Sequence, residues 1–202
     1  CYLKDLADYG SNSYIRVAII PLIDVEDMNK GESLSLSKSP FPVFVEAGNA
    51  DHAMIAEKAG AAGLIVRGSE GPGWVSDTNG FVLLQKILQS SKLPVFLQGG
   101  VSLRTAAGCV RAGASGVVLD NHLLLTESSS LSEKFKKFLS GLVLPATTVL
   151  GEGFSRNLRV YSRVGTKIVR ELRKIEESLT PDELPSYFFR LNSSIGIPSE
   201  TP

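Results

Sequence analysis

Pro42-Val43-Phe44-Val45-Glu46-Ala47-Gly48 leads through a helical stretch to Ala59-Gly60-Ala61-Ala62-Gly63-Leu64-Ile65-Val66. Further along, Pro94-Val95-Phe96-Leu97-Gln98-Gly99-Gly100 leads through another to Ala112-Gly113-Ala114-Ser115-Gly116-Val117-Val118-Leu119. Each copy reads as strand, helix, strand. The apolar run after proline suits a strand buried on both faces, the Ala-rich stretch a crossover helix, and the glycine beyond it a left-handed cap. A duplicated βαβ unit builds either a closed barrel or an open doubly wound sheet, and both place ligands at the C-terminal ends of the strands.

Working outward, strands are expected near 42–47, 63–67, 94–98 and 115–119, with helices near 50–59, 79–89 and 102–112. Asp51 and Ser102 are the expected N-caps, each with a side-chain oxygen just before a helical run. Residues 15–22 (Ile-Arg-Val-Ala-Ile-Ile-Pro-Leu) read as an earlier buried strand after a weak helix around 3–9, and 24–39 as a polar surface loop. Beyond Leu119 the pattern changes. Residues 131–144 carry apolar side chains at helical spacing, and 147–150 and 159–161 read as short strands or extended loop. Val164, Ile168, Leu172 and Ile175 make 163–178 an amphipathic helix, expected to pack on the domain. The expected organisation is a partial barrel-like domain over 1–145, an extension over 146–179, and a linker or tail over 180–202.

Composition narrows the function classes. The chain has 202 residues, 43% of them hydrophobic, enough for one substantial domain. That is shorter than a typical eightfold barrel of about 250 residues, so either the barrel is incomplete or the sheet is open. Lys plus Arg and Asp plus Glu both number 21, so no net field favours nucleic acid or an anionic membrane. Two cysteines, Cys1 and Cys109, make no disulfide framework and have no metal-ligand spacing, which suits a reducing cytoplasm. No apolar run reaches the roughly 18 residues of a membrane span. A first residue of Cys rather than Met is the mark expected of a piece of a longer polypeptide. The absence of a Gly-x-Ser-x-Gly elbow, a Walker loop and paired His or Cys sets argues against serine hydrolases, nucleoside triphosphatases and zinc enzymes.

Three strand-end loops carry the candidate chemistry. Arg67-Gly68-Ser69-Glu70-Gly71-Pro72-Gly73-Trp74 offers three glycines for close backbone approach to a flat ligand, together with Arg67, Glu70 and the chain's only tryptophan. Gln98-Gly99-Gly100-Val101-Ser102 sets a diglycine before a helix N-terminus, a ready seat for a phosphate. Asp120-Asn121-His122 lies where a barrel puts the other half of such a site. A carboxylate there repels a phosphate unless it turns away, pairs with Arg67 or Arg104, or caps the next helix, and capping is the expected role. Neither His52 nor His122 has the setting of a catalytic base.

The stretch from Gly63 to Val75, with Phe81-Val82-Leu83-Leu84-Gln85, Leu93 to Val101 and Ala112 to Asp120, resembles the nitronate monooxygenase (2-nitropropane dioxygenase)-like flavin barrels. The form it most resembles is the leading domain of type I polyketide and polyunsaturated-fatty-acid-type synthases, in which the barrel is followed by a segment similar to Val149-Leu150-Gly151-Glu152 and Arg159 to Gly165. The resemblance covers about 42–178. It implies an FMN-binding TIM-type α/β barrel of which this chain holds the second half and one earlier strand. It also implies a small-molecule or acyl substrate and further synthase domains in the same parent chain.

By position, the resemblance places Gln98, Gly99 and Gly100 in one phosphate loop and Asp120 and Asn121 in the other. Arg67, Gly68, Glu70, Gly71 and Gly73 would face the flavin ring and substrate. Active relatives carry a His where this chain has Trp74, and an indole stacks but takes no proton. They carry Gly and a hydroxyl residue where this chain has Asp120 and Asn121. No catalytic residue is therefore assigned. Two functions are open: an FMN-dependent oxidoreductase, or a non-catalytic scaffold or docking barrel in a multidomain synthase. A phosphate-sugar barrel enzyme is a remote third, without its signature residues.

Overall fold

The structure is a computed structural model that describes residues 16–21, 25, 28, 35–142, 147–154, 156–161, 167–183 and 186–187. The expected helix around 3–9, and most of the polar stretch 24–39, lie outside the described residues. The chain divides into two compact units, 1–141 and 142–202.

The first unit is built on five parallel strands: β1 (Ala18–Ile20), β2 (Val43–Ala47), β3 (Gly63–Arg67), β5 (Val95–Gln98) and β6 (Gly116–Val118). A three-residue strand, β4 (Gly73–Val75), lies in the excursion that follows β3. The helices are α1 (Ala50–Ala59), α2 (Gly80–Ser90), α3 (Leu103–Arg111) and α4 (Glu133–Ser140). The parallel strands lie side by side in chain order, β1-β2-β3-β5-β6. A doubly wound sheet reverses its order at a switch point, and this sheet does not. Right-handed crossovers taken repeatedly in one direction place every helix on the same face, as along the wall of a barrel.

Alternation along the strands sorts their side chains between two faces. Val43, Val45, Ala47, Leu64, Val66, Val95 and Leu97 form one core with Ala53 and Ala56 of α1, Leu83, Leu84 and Ile87 of α2, and Cys109 of α3. Burial pushes the Cys109 thiol pKa up, so this cysteine is a packing residue. The opposite face carries Phe44, Glu46, Ile65, Arg67, Phe96, Gln98 and Val118. There each copy of the repeat lays its phenylalanine over the glycine that opens the next strand. A Cβ on Gly63 would stand 2.4 Å from the Phe44 ring, and one on Gly116 would stand 3.1 Å from the Phe96 ring. The two rings meet edge to face, with centroids 5.7 Å apart.

Helix starts follow capping chemistry. Ser102 caps α3 as expected, its Oγ accepting from the Thr105 N–H at 3.2 Å. The expected Asp51 cap is corrected. Asn49 caps α1, its Oδ1 accepting from the His52 N–H at 2.8 Å, because the helix begins at Ala50 and leaves Asp51 inside its first turn. Asn79 caps α2 through the Phe81 N–H at 3.1 Å.

In the second unit β7 (Thr147–Leu150) and β8 (Asn157–Tyr161) pair antiparallel. The helix α5 (Lys167–Ser178) follows, buries Leu172, and is tied to β7 by an Arg173 guanidinium that donates to Thr148 Oγ1 at 2.7 Å. Glu176 Oε1 accepts from the Gly151 N–H at 2.6 Å and from the buried Tyr187 hydroxyl. Among the described residues no helix is long and apolar enough to cross a membrane.

Candidate functional site

At the C-terminal ends of the parallel strands, on the face away from the helices, four polar residues stand on neighbouring strands. These are Glu46 on β2, Arg67 on β3, Gln98 on β5, and Asp120 just beyond β6. Arg67 donates from Nη1 to Glu46 Oε1 at 2.9 Å, and both side chains are about nine-tenths buried, at 11% and 10% exposure. The strand register sets Arg67 beside Gln98. Gln98 donates from Nε2 to Asp120 Oδ2 at 3.4 Å. The row therefore holds two carboxylates and one guanidinium, with the guanidinium committed to Glu46.

The excursion between β3 and α2 folds against these strand ends and is pinned in three places. Arg67 donates from Nη2 to the Pro72 carbonyl. The Glu70 carboxylate accepts from the Gly80 N–H at 3.0 Å and from the Asn79 side-chain amide, so it supplies the negative charge that the N-terminus of α2 favours. The buried Ser76 hydroxyl donates to the Gly48 carbonyl at 2.6 Å and accepts from the Thr78 N–H at 3.0 Å. Backbones approach closely at two points. A Cβ on Gly68 would stand 2.2 Å from the Gly80 backbone, and one on Gly99 would stand 2.8 Å from the Gly71 nitrogen. His52 is buried beneath the tip of β2, its Nδ1 accepting from the Gly48 N–H at 3.4 Å, and His122 is exposed in the turn Asn121–Leu125.

Gly99 and Gly100 have φ of 94° and 62°, both left-handed, and they lead directly into the Ser102-capped N-terminus of α3. Left-handed backbone that leads into a helix N-terminus is a setting in which anions are held. Here Gly99 is buried against Gly71, Gly100 is exposed with the Glu70 side chain beside it, and Arg104 is exposed in the first turn of α3. On the β6 side Asp120 stands opposed in charge, its Oδ2 turned to the amide of Gln98.

The structure brings Arg67, Gly71 and Gly73 together, since a Cβ on either glycine would lie within 4 Å of the Arg67 Nη2 atom. Glu70 and Gly100 also meet, with 3.3 Å from a Gly100 Cβ position to the Glu70 Cβ. Gly68 packs on the first residue of α2, and Glu70 turns its carboxylate to that helix. Trp74 lies half-buried in β4. Glu46, Ser76 and Asn79 were not among the residues singled out from the sequence. Glu46 carried a usable signal, because the two copies of the repeat align it with Gln98.

A profile of the nitronate monooxygenase family matches residues 22–183. A (3aS,4S,5R,7aS)-5-hydroxy-7a-methyl-1-oxo-octahydro-1H-indene-4-carboxyl-CoA dehydrogenase of Rhodococcus jostii (strain RHA1) is 32% identical over 108 residues, 53% of this chain and 31% of that protein. Among solved structures, FabK from Thermotoga maritima superposes with a TM-score of 0.73 at 20% identity, over 96% of this chain and 59% of that one. Nitroalkane oxidase from Streptomyces ansochromogenes gives 0.60 at 21% identity, over 80% of this chain and 49% of that one. The enoyl reductase domain of MlnA, from the macrolactin biosynthesis cluster of Bacillus amyloliquefaciens, gives 0.60 at 14% identity, over 87% and 52%. This chain spans about a third of the curated relative and roughly half to three-fifths of these solved chains. The structural likenesses show a shared fold, and the profile match over most of the length shows descent: the chain belongs to the nitronate monooxygenase family.

Proposed function

We propose that this chain is an FMN-dependent oxidoreductase domain of the nitronate monooxygenase family, acting on a small-molecule or acyl substrate within a cytoplasmic, synthase-type protein. One observation carries the reading: the left-handed Gly99-Gly100 pair opening onto the α3 N-terminus, at the strand ends where such barrels bind their ligands. Family membership supports the flavin. The carboxyl-CoA dehydrogenase relative supports an acyl substrate, and the likeness to MlnA agrees with a synthase setting.

In this reading the Gln98–Gly100 backbone and the α3 N-terminus hold the FMN phosphate, with Asp120 and Asn121 bounding it on the β6 side. Arg67, Gly68, Glu70, Gly71 and Gly73 form the wall that faces the ring. FMN held there would supply the hydride-transfer chemistry. The protein supplies position. Its 68–79 excursion excludes water above the strand tips, and Trp74 offers a surface for stacking where relatives offer a proton-transferring His.

The test is the visible absorption spectrum of the purified full-length protein after incubation with FMN and exhaustive dialysis. Retained flavin bands support the reading. A colourless protein leaves the chain as a scaffold or docking barrel.

A further inference from the structure

The described residues buried beyond nine-tenths and polar or charged are Glu46, His52 and Ser76. All three gather at the tip of β2. His52 and Ser76 take the N–H and the carbonyl of Gly48, and Glu46 takes Arg67. Burying polar groups is costly unless they are paired, so their concentration at one strand end marks a place whose geometry is specified rather than merely filled.

Each of two side chains reaches the excursion between β3 and α2. Ser76 ties its far end to Gly48, and Arg67 ties its turn through the Pro72 carbonyl. The third guanidinium donor, Nε, is buried with no hydrogen-bond partner among the described residues. A guanidinium kept in place at the expense of an unmet donor is held by its other contacts, here Glu46 and Pro72.

We propose that Glu46 is a positioning residue of the strand-tip site. By fixing Arg67 it fixes the Pro72 carbonyl, and so the Gly71–Gly73 turn that packs on Gly99, presenting the diglycine loop and Trp74 in one arrangement before a ligand arrives. Such preorganisation raises affinity by removing the ordering cost from the binding step. The proposal deepens the flavin reading and rests on it for the identity of the ligand, but the clamp itself is measurable without ligand, because Trp74 is the chain's only tryptophan.

The experiment compares the full chain with Glu46→Gln and Arg67→Lys. Glutamine keeps the shape and an acceptor but loses the charge, while lysine keeps the charge but lacks the fork that spans Glu46 and Pro72. Ile87→Val, a truncation in the helix-side core, serves as the control for destabilisation alone. Acrylamide quenching of Trp74 is read in the absence of ligand, the thermal midpoint alongside, and FMN binding by titration.

The expected result is faster quenching in both clamp variants and an affinity for FMN lowered by about tenfold, with Ile87→Val lowering the midpoint and leaving quenching unchanged. Wild-type quenching in a folded Glu46→Gln or Arg67→Lys protein overturns the proposal. So does a rise in quenching in Ile87→Val that matches theirs at equal midpoint loss. Should Arg67→Lys fail to fold, Glu46→Gln decides by itself. If the unmodified protein binds no FMN, the flavin reading fails, and quenching alone decides the clamp.

Discussion

Glu46 and Arg67 form their 2.9 Å ion pair at the position where the second copy of the repeat sets the hydrogen bond between Gln98 and Asp120. The sequence separations are 21 and 22 residues, so the two pairs are structural equivalents. One layer below, Phe44 over Gly63 repeats as Phe96 over Gly116. The duplication therefore extends to the side chains on the face away from the helices. Between the copies the Glu46–Arg67 ion pair is replaced by a hydrogen bond from the Gln98 amide to the Asp120 carboxylate, so the acidic member moves from the first strand of the pair to the end of the second.

The phenylalanine-over-glycine layer makes a ranked prediction. Gly63→Ala should destabilise more than Gly116→Ala, because the added methyl meets the Phe44 ring at 2.4 Å and the Phe96 ring at 3.1 Å. Overpacking of this kind costs about 1–3 kcal/mol. Urea denaturation of the two variants gives the order directly, and equal losses would show that the layer is looser than its geometry.

A second pair of glycines should move stability in opposite directions. Gly99→Ala meets the Gly71 nitrogen at 2.8 Å from a backbone with φ of 94°, and a loss of about 2–4 kcal/mol is expected from strain and clash together. Gly108, inside α3, has nothing among the described residues within 4 Å of a Cβ position, so Gly108→Ala should stabilise by about 0.5–1 kcal/mol. Thermal melts of both variants check the contrast.

The second unit carries an alkaline dependence. The Tyr187 pKa is pushed well above its ordinary value by burial, by its hydrogen bond to Glu176 and by the charge of that carboxylate. A raised pKa in the fold means stability fully present below the unfolded tyrosine value of about 10 and lost as pH rises beyond it. The thermal midpoint of the second unit should fall as pH rises above about 10 in the unmodified protein. Tyr187→Phe should lessen that fall, at the cost of the Glu176 hydrogen bond at neutral pH.

The sequence displayed the parallel core because its strands are uninterrupted apolar runs and its crossovers are punctuated by glycine. The expected helices at 50–59, 79–89 and 102–112 appear at Ala50–Ala59, Gly80–Ser90 and Leu103–Arg111. What it concealed has physical reasons. Gly73-Trp74-Val75 is too short to show a period, so β4 was not expected. Asp51 and Asn49 carry equally good capping oxygens two residues apart, and only the start at Ala50 chooses between them. Glu46 reads as an interruption in an apolar strand until Arg67 is seen beside it. The glycines of the 68–73 loop read from the sequence as room for a flat ligand, whereas two of them serve close contacts between backbones. That Gly68 approaches Gly80, and Gly71 approaches Gly99, is a tertiary fact that no local spacing encodes.

In the proposed reading Gly99, Gly100 and the α3 N-terminus seat the FMN phosphate, opposed by Asp120. A carboxylate facing a phosphate at about 4 Å costs on the order of 4 kcal/mol per pair of unit charges at an effective dielectric near 20, reduced by whatever Gln98 and Arg104 return. The most direct measurement titrates FMN and riboflavin, followed by flavin fluorescence, into the unmodified protein and Asp120→Gly. Saturable FMN binding is predicted in the unmodified protein, with weaker binding of riboflavin and a gain on Asp120→Gly that appears for FMN and not for riboflavin. Equal affinities for the two flavins in both proteins, or no flavin binding in either, would contradict the account.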